Sequence, residues 1–212
     1  MCPSKNLPRR KSLRLRDHDY AAPGGYFVTI CTQGKRCVFG RIEAGKMQLN
    51  PAGQAVQQAW LGLPQRFPSL YLDTFVVMPN HMHGVLVFVG AGLAPPAAAS
   101  PITIVGAKML LFANSKDSAP AGVLAATSAG GASPAPTGRS FALRDVVRAF
   151  KSISTIAVNR AQRRRGVQLW QRNYYEHIVR NGDDLDNIRR YVFDNPLRWD
   201  LDPENPAQPV IP

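Results

Sequence analysis

Cysteine is scarce in this chain of 212 residues, and long apolar runs are absent from it. The three cysteines, Cys2, Cys31 and Cys37, are odd in number and have no CxxC spacing, which argues against a disulfide scaffold and against a cysteine-bound zinc ion. No apolar run reaches the ~18–20 residues of a membrane-spanning helix. The basic N-terminus is not followed by the apolar run of a secretory signal. These absences predict a cytoplasmic protein with no membrane association.

Acidic residues are also few, with 14 Asp and Glu against 26 Lys and Arg, so the formal net charge is +12. A balance this basic indicates a polyanionic partner, for which nucleic acid and acidic membrane surfaces are the usual candidates. The basic residues cluster in segments 1–16 and 141–170, which favours a surface that follows phosphate groups, while a solvated basic face is the alternative. The candidate DNA-contacting residues are Arg9, Arg10, Arg14, Arg148, Lys151, Arg163, Arg164, Arg165 and Arg172.

Aromatic residues almost vanish from segment 90–140, where 33 of the 51 positions are Ala, Gly, Pro or Ser. Such a composition buries too little apolar area to offset the entropy lost on ordering, so we interpret this segment as a mostly disordered insertion. It interrupts a single domain that we place at 20–199. A basic arm at 1–19 precedes the domain, and a proline-rich tail at 200–212 follows it.

Strand-like and helix-like segments alternate on both sides of the insertion. Aromatic and β-branched residues predict strands at 26–31, 74–78, 82–89, 168–170 and 177–179. Apolar stripes of helical period predict three helices, for which the expected N-caps are Asn50, Ser140 and either Asp183 or Asp184. This order predicts an α+β fold of the split β-α-β type (ferredoxin- or RRM-like), an antiparallel sheet with helices on one face. The other face would be open to single-stranded nucleic acid.

Two of the four histidines, His81 and His83, stand one residue apart at the start of an apolar strand. Because strand side chains alternate between faces, both imidazoles point the same way and can chelate one cation. Gly84 would leave room beside them for the backbone of a ligand. The alternative is a pair of hydrogen-bonded histidines without a catalytic role.

Tyr191 lies in the last predicted helix, one helical turn before Asn195, so the two side chains share one side of that helix. It stands at the border of the apolar stripe of the helix. Such an edge position suits a phenol that is held by packing and still reaches a substrate. A tyrosine at the edge of the core, without further function, is the alternative.

Four segments, in this order, resemble the HUH single-tyrosine transposases, and among them the REP-associated tyrosine transposases. The matching segments are YFVTICT at 26–32, VVMPNHMH at 76–83, LWQRNYYEHIVR at 169–180 and YVFDNP at 191–196. The resemblance covers about residues 20–89 and 141–199. It implies that His81 and His83 bind a divalent metal, that Tyr191 is the nucleophile, and that Asn195 completes the metal site.

The implied activity is metal-dependent nicking and strand transfer of single-stranded DNA through a covalent 5′-phosphotyrosine, at hairpin-forming repetitive palindromes. Two imidazoles and an amide oxygen suit Mn²⁺, although Mg²⁺ can occupy such a site. The implied partner is single-stranded or hairpin DNA, bound by a monomer or a homodimer. Two features depart from the family pattern: the insertion at 90–140, and Pro196, which disfavours helical geometry at Asn195.

Two other functions remain open at this point. One is a module that binds structured DNA or RNA without cutting it. The other is a metal phosphoesterase that hydrolyses its substrate with water, which usually needs more carboxylate ligands near the metal. No acidic residue flanks His81 or His83 in the sequence.

Overall fold

The computed structural model describes residues 23–89 and 141–207. The predicted arm at 1–19, with Arg9, Arg10 and Arg14, and the predicted insertion at 90–140 lie outside the described residues. The strands are β1 (Gly24–Cys31), β2 (Gly40–Glu43), β3 (Lys46–Leu49), β4 (Leu70–Val77), β5 (His81–Phe88) and β6 (Tyr175–Val179). The helices are α1 (Pro51–Leu61), α2 (Leu63–Arg66), α3 (Leu143–Ala161) and α4 (Gly182–Asp194), with 3₁₀ segments at Gln33–Lys35 and Asn195–Leu201.

The predicted α+β class is confirmed. Four strands form one sheet in the order β4-β5-β1-β6, and every neighbouring pair is antiparallel. The hairpin of β2 and β3 lies outside this sheet and was not predicted. Its two strands have only four residues each, too few to give a periodic signal, and they meet at Ala44 and Gly45, both in the left-handed region.

The sheet is covered on both faces, which corrects the prediction that all helices share one face. Helices α1 and α3 pack on the face formed by Tyr26, Val28 and Ile30. Helix α4 packs on the opposite face, where Ile188 and Val192 meet an apolar cluster that also contains Phe27, Val76 and Val85. The second face carries the histidines, and it also carries apolar side chains at Phe27, Val85 and Val87, so this face needs a covering layer too. The expected open face for nucleic acid is therefore largely occupied.

Of the three predicted helix N-caps, one is confirmed. The Asn50 Oδ1 accepts hydrogen bonds from the backbone N–H groups of Ala52 (2.9 Å) and Gly53 (3.0 Å), as predicted for an N-cap before proline. Helix α3 starts after Ala142 instead of Ser140. Helix α4 is capped by Asn181, whose Oδ1 accepts from the Asp184 N–H at 2.8 Å. Within the described residues, no helix combines the length and apolarity required to cross a membrane.

Candidate metal centre and nucleophile

Strand β5 carries both histidines to the face that α4 covers. Its register on β1 sets His83 opposite Thr29 and His81 opposite Cys31. The two Nε2 atoms lie 3.0 Å apart, and both side chains are buried. The alternation of strand side chains therefore brings the two imidazoles together, as expected from their spacing.

Asn80 fixes the tautomer of His81. The Asn80 side-chain amide donates to the backbone carbonyls of Lys35 (3.0 Å) and Glu204 (2.6 Å), so its Oδ1 is left to face His81 Nδ1 at 2.8 Å. An amide oxygen only accepts, so the imidazole proton of His81 must be on Nδ1. The lone pair on His81 Nε2 is then directed at His83, the arrangement that outer partners impose on metal-binding histidines.

Both imidazoles are held neutral. Burial lowers the pKa of His81 to about 4, although the nearby carboxylate of Asp202 acts in the opposite direction. Burial and the adjacent His81 hold the pKa of His83 well below its usual range. Thr29 Oγ1 lies 2.8 Å from His83 Nδ1 and orients that ring. Neutral imidazole is the form that binds a metal, so both rings are ready ligands at pH 7.

Helix α4 brings Tyr191 to the histidine pair. The Tyr191 hydroxyl lies 3.4 Å from His83 Nε2, and the two ring centroids are 5.1 Å apart. Phe27 packs against both rings, stacked on His83 and edge-on to Tyr191. Tyr191 is nevertheless 45% exposed, so the residue lies at the boundary between the buried histidines and solvent. Burial, followed by the charge of Asp202, raises the pKa of the phenol, while the Asn195 side chain opposes this shift.

Asn195 keeps helical geometry in spite of Pro196. Its φ of −56° and ψ of −43° continue the helix, which then tightens into the 3₁₀ segment Asn195–Leu201. The expectation that Pro196 disturbs this position is therefore wrong, because the chain continues as a 3₁₀ turn with proline in its first turn. The buried Asn195 Oδ1 has no hydrogen-bond partner within the described residues. Because buried polar atoms are rarely left without a partner, this amide oxygen is a candidate ligand atom for a metal ion.

Asp202 is a site residue that the sequence did not indicate. After the 3₁₀ segment the chain turns back, and the Asp202 carboxylate comes within 3.8 Å of His81 Nε2. Asp202 is buried, and the Trp199 ring lies 6.0 Å from the His81 ring. More than a hundred residues separate Asp202 from the histidines, and it was assigned to the proline-rich tail. No local pattern distinguishes it from other aspartates.

The donor set fits a divalent cation. Ligand atoms of His81, His83 and Asp202 all lie within 4.8 Å of one another, and all three residues are buried. The Oδ1 of Asn195, which has no hydrogen-bond partner within the described residues, is a fourth candidate ligand atom and the second oxygen of the set. Two imidazoles with carboxylate and amide oxygens suit Mn²⁺ and can accept Mg²⁺.

Gly84 does not serve a ligand, which corrects the sequence interpretation. A Cβ atom built there would lie 2.4 Å from Cζ2 of Trp60. Gly84 therefore faces α1, on the side of the sheet opposite to His81 and His83, and its missing side chain makes room for the buried indole. The alternation that unites the two histidines also turns Gly84 away from them.

The basic candidates have different surroundings. Arg148 pairs with Asp145 at 3.0 Å. The Lys151 ammonium donates to the backbone carbonyls of Gln171, Arg172 and Asn173 at 2.9–3.2 Å, which ties it to its own chain. Arg172 is exposed. Arg163, Arg164 and Arg165 are exposed and line a groove at the end of α3. Their contact with DNA stays a prediction.

His177 joins two elements of the fold. Its Nε2 lies 3.0 Å from the Asp184 carboxylate, so β6 is linked to the first turn of α4.

The fold and site together define a split β-α-β protein with a buried His-His-Asp cluster beside a half-exposed tyrosine. The chain is 32% identical over 197 residues to a Haemophilus influenzae protein described as uncharacterized, covering 92% of this chain and 93% of that protein. It belongs to the same family as that protein. No protein-family model matches the chain. The structure of a REP-associated tyrosine transposase bound to a REP hairpin aligns with 88% of this chain and 74% of its own, with a TM-score of 0.47 and 16% identity.

Proposed function

We propose that this protein is a divalent-metal-dependent DNA nuclease that nicks and rejoins single strands through a covalent bond to Tyr191. The observation that carries the proposal is the position of the Tyr191 hydroxyl, 3.4 Å from His83 Nε2 at the exposed side of the cluster. The four sequence segments that resemble the HUH single-tyrosine transposases support the same assignment. His81, His83 and Asp202 are the proposed metal ligands, with Asn195 Oδ1 as a further one.

The histidine pair and Asp202 would hold the metal against the scissile phosphate. The chemistry supplied by a bound divalent cation is neutralisation of charge on a non-bridging phosphate oxygen. Asn80 and Thr29 orient the imidazoles, and the surrounding apolar side chains exclude water from the ligands.

Tyr191 performs the proposed covalent step. Its oxygen forms a bond to phosphorus, the bond between phosphorus and the 3′ oxygen breaks, and the 3′ oxygen leaves as a hydroxyl after taking a proton. The phenol proton passes to solvent, to which Tyr191 is open. Because burial and Asp202 raise the pKa of the phenol, the step needs nearby positive charge. The resulting tyrosine ester keeps the energy of the broken bond, so a second 3′-hydroxyl can displace Tyr191 and restore a phosphodiester.

The proposed substrate is single-stranded DNA that folds into a hairpin, and a single copy of the chain suffices for catalysis. The net charge of +12 supports a nucleic-acid partner. The hairpin palindrome follows from the resemblance to REP-associated transposases. Tyr191 and the histidines approach one another within one chain, which supports action as a monomer.

Covalent capture tests the proposal. The full chain is incubated with a labelled, hairpin-forming palindromic strand and either Mn²⁺ or Mg²⁺, and protein-linked DNA is detected on a denaturing gel. We expect an adduct with the wild-type protein and with the control Tyr71→Phe, which removes a hydroxyl from β4. Tyr191→Phe should form none, and an adduct in that variant would refute the assigned nucleophile. His81→Ala with His83→Ala should abolish cleavage and retain binding.

Asp202 favours a second candidate function, hydrolysis by a water molecule. The sequence argument against hydrolysis was the lack of acidic residues near the histidines, yet the Asp202 carboxylate lies 3.8 Å from His81. A phosphoesterase would release free 5′-phosphate ends without protein-linked DNA. It would stay active as Tyr191→Phe and lose activity as Asp202→Asn. Salt-sensitive binding without any cleavage would instead indicate a binding module.

A further inference from the structure

An open groove of about 600 Å³ lies at the C-terminal end of α3. We call it the arginine groove; its lining includes Ile156, Asn159, Arg160, Arg163, Arg164 and Arg165. The four arginines are exposed, and Ile156 is 60% exposed on the wall. The groove therefore offers four guanidinium groups and one apolar surface to a ligand from solvent.

The backbone of the groove is held in an unusual conformation. Arg163 and Gly166 have φ values of +52° and +68°, in the left-handed region that non-glycine residues rarely adopt. Asn159 holds this turn at two points. Its carbonyl accepts the Arg164 N–H at 2.7 Å, and its side-chain amide donates to the Val167 carbonyl at 3.0 Å. The turn that presents the arginines is thus fixed before any ligand binds.

The arginine groove has no carboxylate of its own among residues 23–89 and 141–207. None of its four arginines forms an ion pair with an acidic residue of these ranges, whereas Arg148 on the same helix pairs with Asp145. Like charges held close together repel one another, and a bound polyanion relieves that repulsion. Arginine is the residue that best matches phosphate geometry. The charge and shape of the groove therefore fit a chain of phosphates.

The chain segment that follows the arginine groove contacts the strand next to the histidine pair. After Val167 the chain reaches Trp170, which bridges to Thr32, and the Gln171 N–H donates to the Cys31 carbonyl at 2.9 Å. Cys31 is the register partner of His81. The segment that follows the arginine groove therefore reaches the end of the sheet where the histidines lie, although α3 and the histidines are on opposite faces.

We propose that the arginine groove binds the phosphodiester backbone of the DNA that flanks the cleaved nucleotide, with Asn159 as the positioning residue of the turn. This inference rests on the proposed function for the identity of the polymer and for its link to cleavage. It assigns the groove to binding and not to the chemical step.

The salt dependence of binding tests the inference without requiring cleavage. A labelled hairpin DNA is titrated with full-length Tyr191→Phe protein over a series of KCl concentrations, and binding is followed by fluorescence anisotropy. Each lost phosphate contact should reduce the slope of log K against log[KCl] by about 0.7–0.9. We expect a reduction of roughly 1.4–1.8 for Arg164→Gln with Arg165→Gln, on the same basis. The control, Arg41→Gln with Arg66→Gln, removes the same charge from β2 and α2 and should change the slope far less.

A second variant tests the geometry of the turn apart from its charge. Asn159→Ala keeps every arginine, and we expect it to weaken DNA binding several-fold while the thermal unfolding of the sheet persists. Conservative Asn159→Gln is expected to recover part of the affinity. Unchanged affinity in Asn159→Ala would remove the positioning role.

The outcomes separate this inference from the proposed function. Equal slopes for the groove pair and the control pair would overturn the inference, even if wild-type protein forms the covalent adduct. A reduced slope for the groove pair, in a protein that never cleaves, would support the groove and reject the nuclease. If the groove pair binds DNA normally and loses binding only to vesicles of anionic lipid, the groove faces a membrane and the inference is wrong.

Discussion

Replacement of Gly84 by alanine should disrupt the strand that carries the histidines. The new Cβ would lie 2.4 Å from Cζ2 and 2.9 Å from Cη2 of Trp60, closer than such atoms approach in folded proteins. The Trp60 indole has no room to retreat, because it is fully buried with the Phe150 ring at 5.2 Å and the Phe75 ring at 6.2 Å. Strand β5 or the indole must therefore shift.

The magnitude follows from the cost of overpacking a dense core. Inserting a methyl group into such a core costs about 1–3 kcal/mol. Because the contact falls well below 3.0 Å and involves a rigid ring, we expect a value in the upper half of this range. Trp60→Phe removes the ring atoms that the methyl group meets. In that background Gly84→Ala should cost less, with a coupling energy of about 1 kcal/mol or more.

Urea denaturation of the wild type, the two single variants and the double variant measures this coupling. Gly182→Ala is the matched control, because no atom lies within 4 Å of a Cβ built there, and it should be neutral or slightly stabilising. Calorimetric titration with Mn²⁺ should show weaker binding in Gly84→Ala, since His83 is its neighbour in β5. Additive costs, or a neutral Gly84→Ala, would refute the reasoning.

Three further predictions concern stability. In metal-free protein the free energy of unfolding should fall by at least about 2 kcal/mol from pH 7 to pH 5, because the unfolded His81 binds a proton near its ordinary pKa of 6.5 and the folded one only near about 4. His83, whose pKa is also well below its usual range, adds to this fall. Urea curves at both pH values measure the change, and equal stabilities would contradict buried neutral imidazoles. Arg189→Gln removes the two hydrogen bonds to Asp73 (2.8 and 2.6 Å) that attach α4 to β4. If these bonds stabilise α4 against local opening by about 1 kcal/mol, amide hydrogen exchange in α4 should accelerate by roughly fivefold. Unchanged exchange would show that the pair contributes nothing. Asn50→Ala should lower the free energy of unfolding, measured by thermal unfolding, by about 1 kcal/mol through loss of the α1 cap. Asn50→Asp should keep most of the wild-type stability, because its carboxylate can accept the same hydrogen bonds.

Much of the fold could be predicted because its signals are local. The order of the long strands and helices follows from aromatic and β-branched runs and from helical stripes, and the Asn50 cap follows from the proline after it. The position of α4 was predicted wrongly, although the sequence holds the relevant signal. Phe27 and Val85 are apolar on the face opposite to Tyr26 and Val28, so each face of the sheet required a cover.

Some residues of the candidate site could also be predicted from local patterns, and others could not. Alternation is a property of the extended backbone, so the spacing of His81 and His83 was enough to predict that they share one face of a strand. Motif resemblance indicated Tyr191 and Asn195. The packing of the elements brings Tyr191 to 3.4 Å from His83, adds the Asp202 carboxylate and places Gly84 against Trp60. Those contacts join residues far apart in the chain, and they depend on how whole elements pack, which no local pattern encodes.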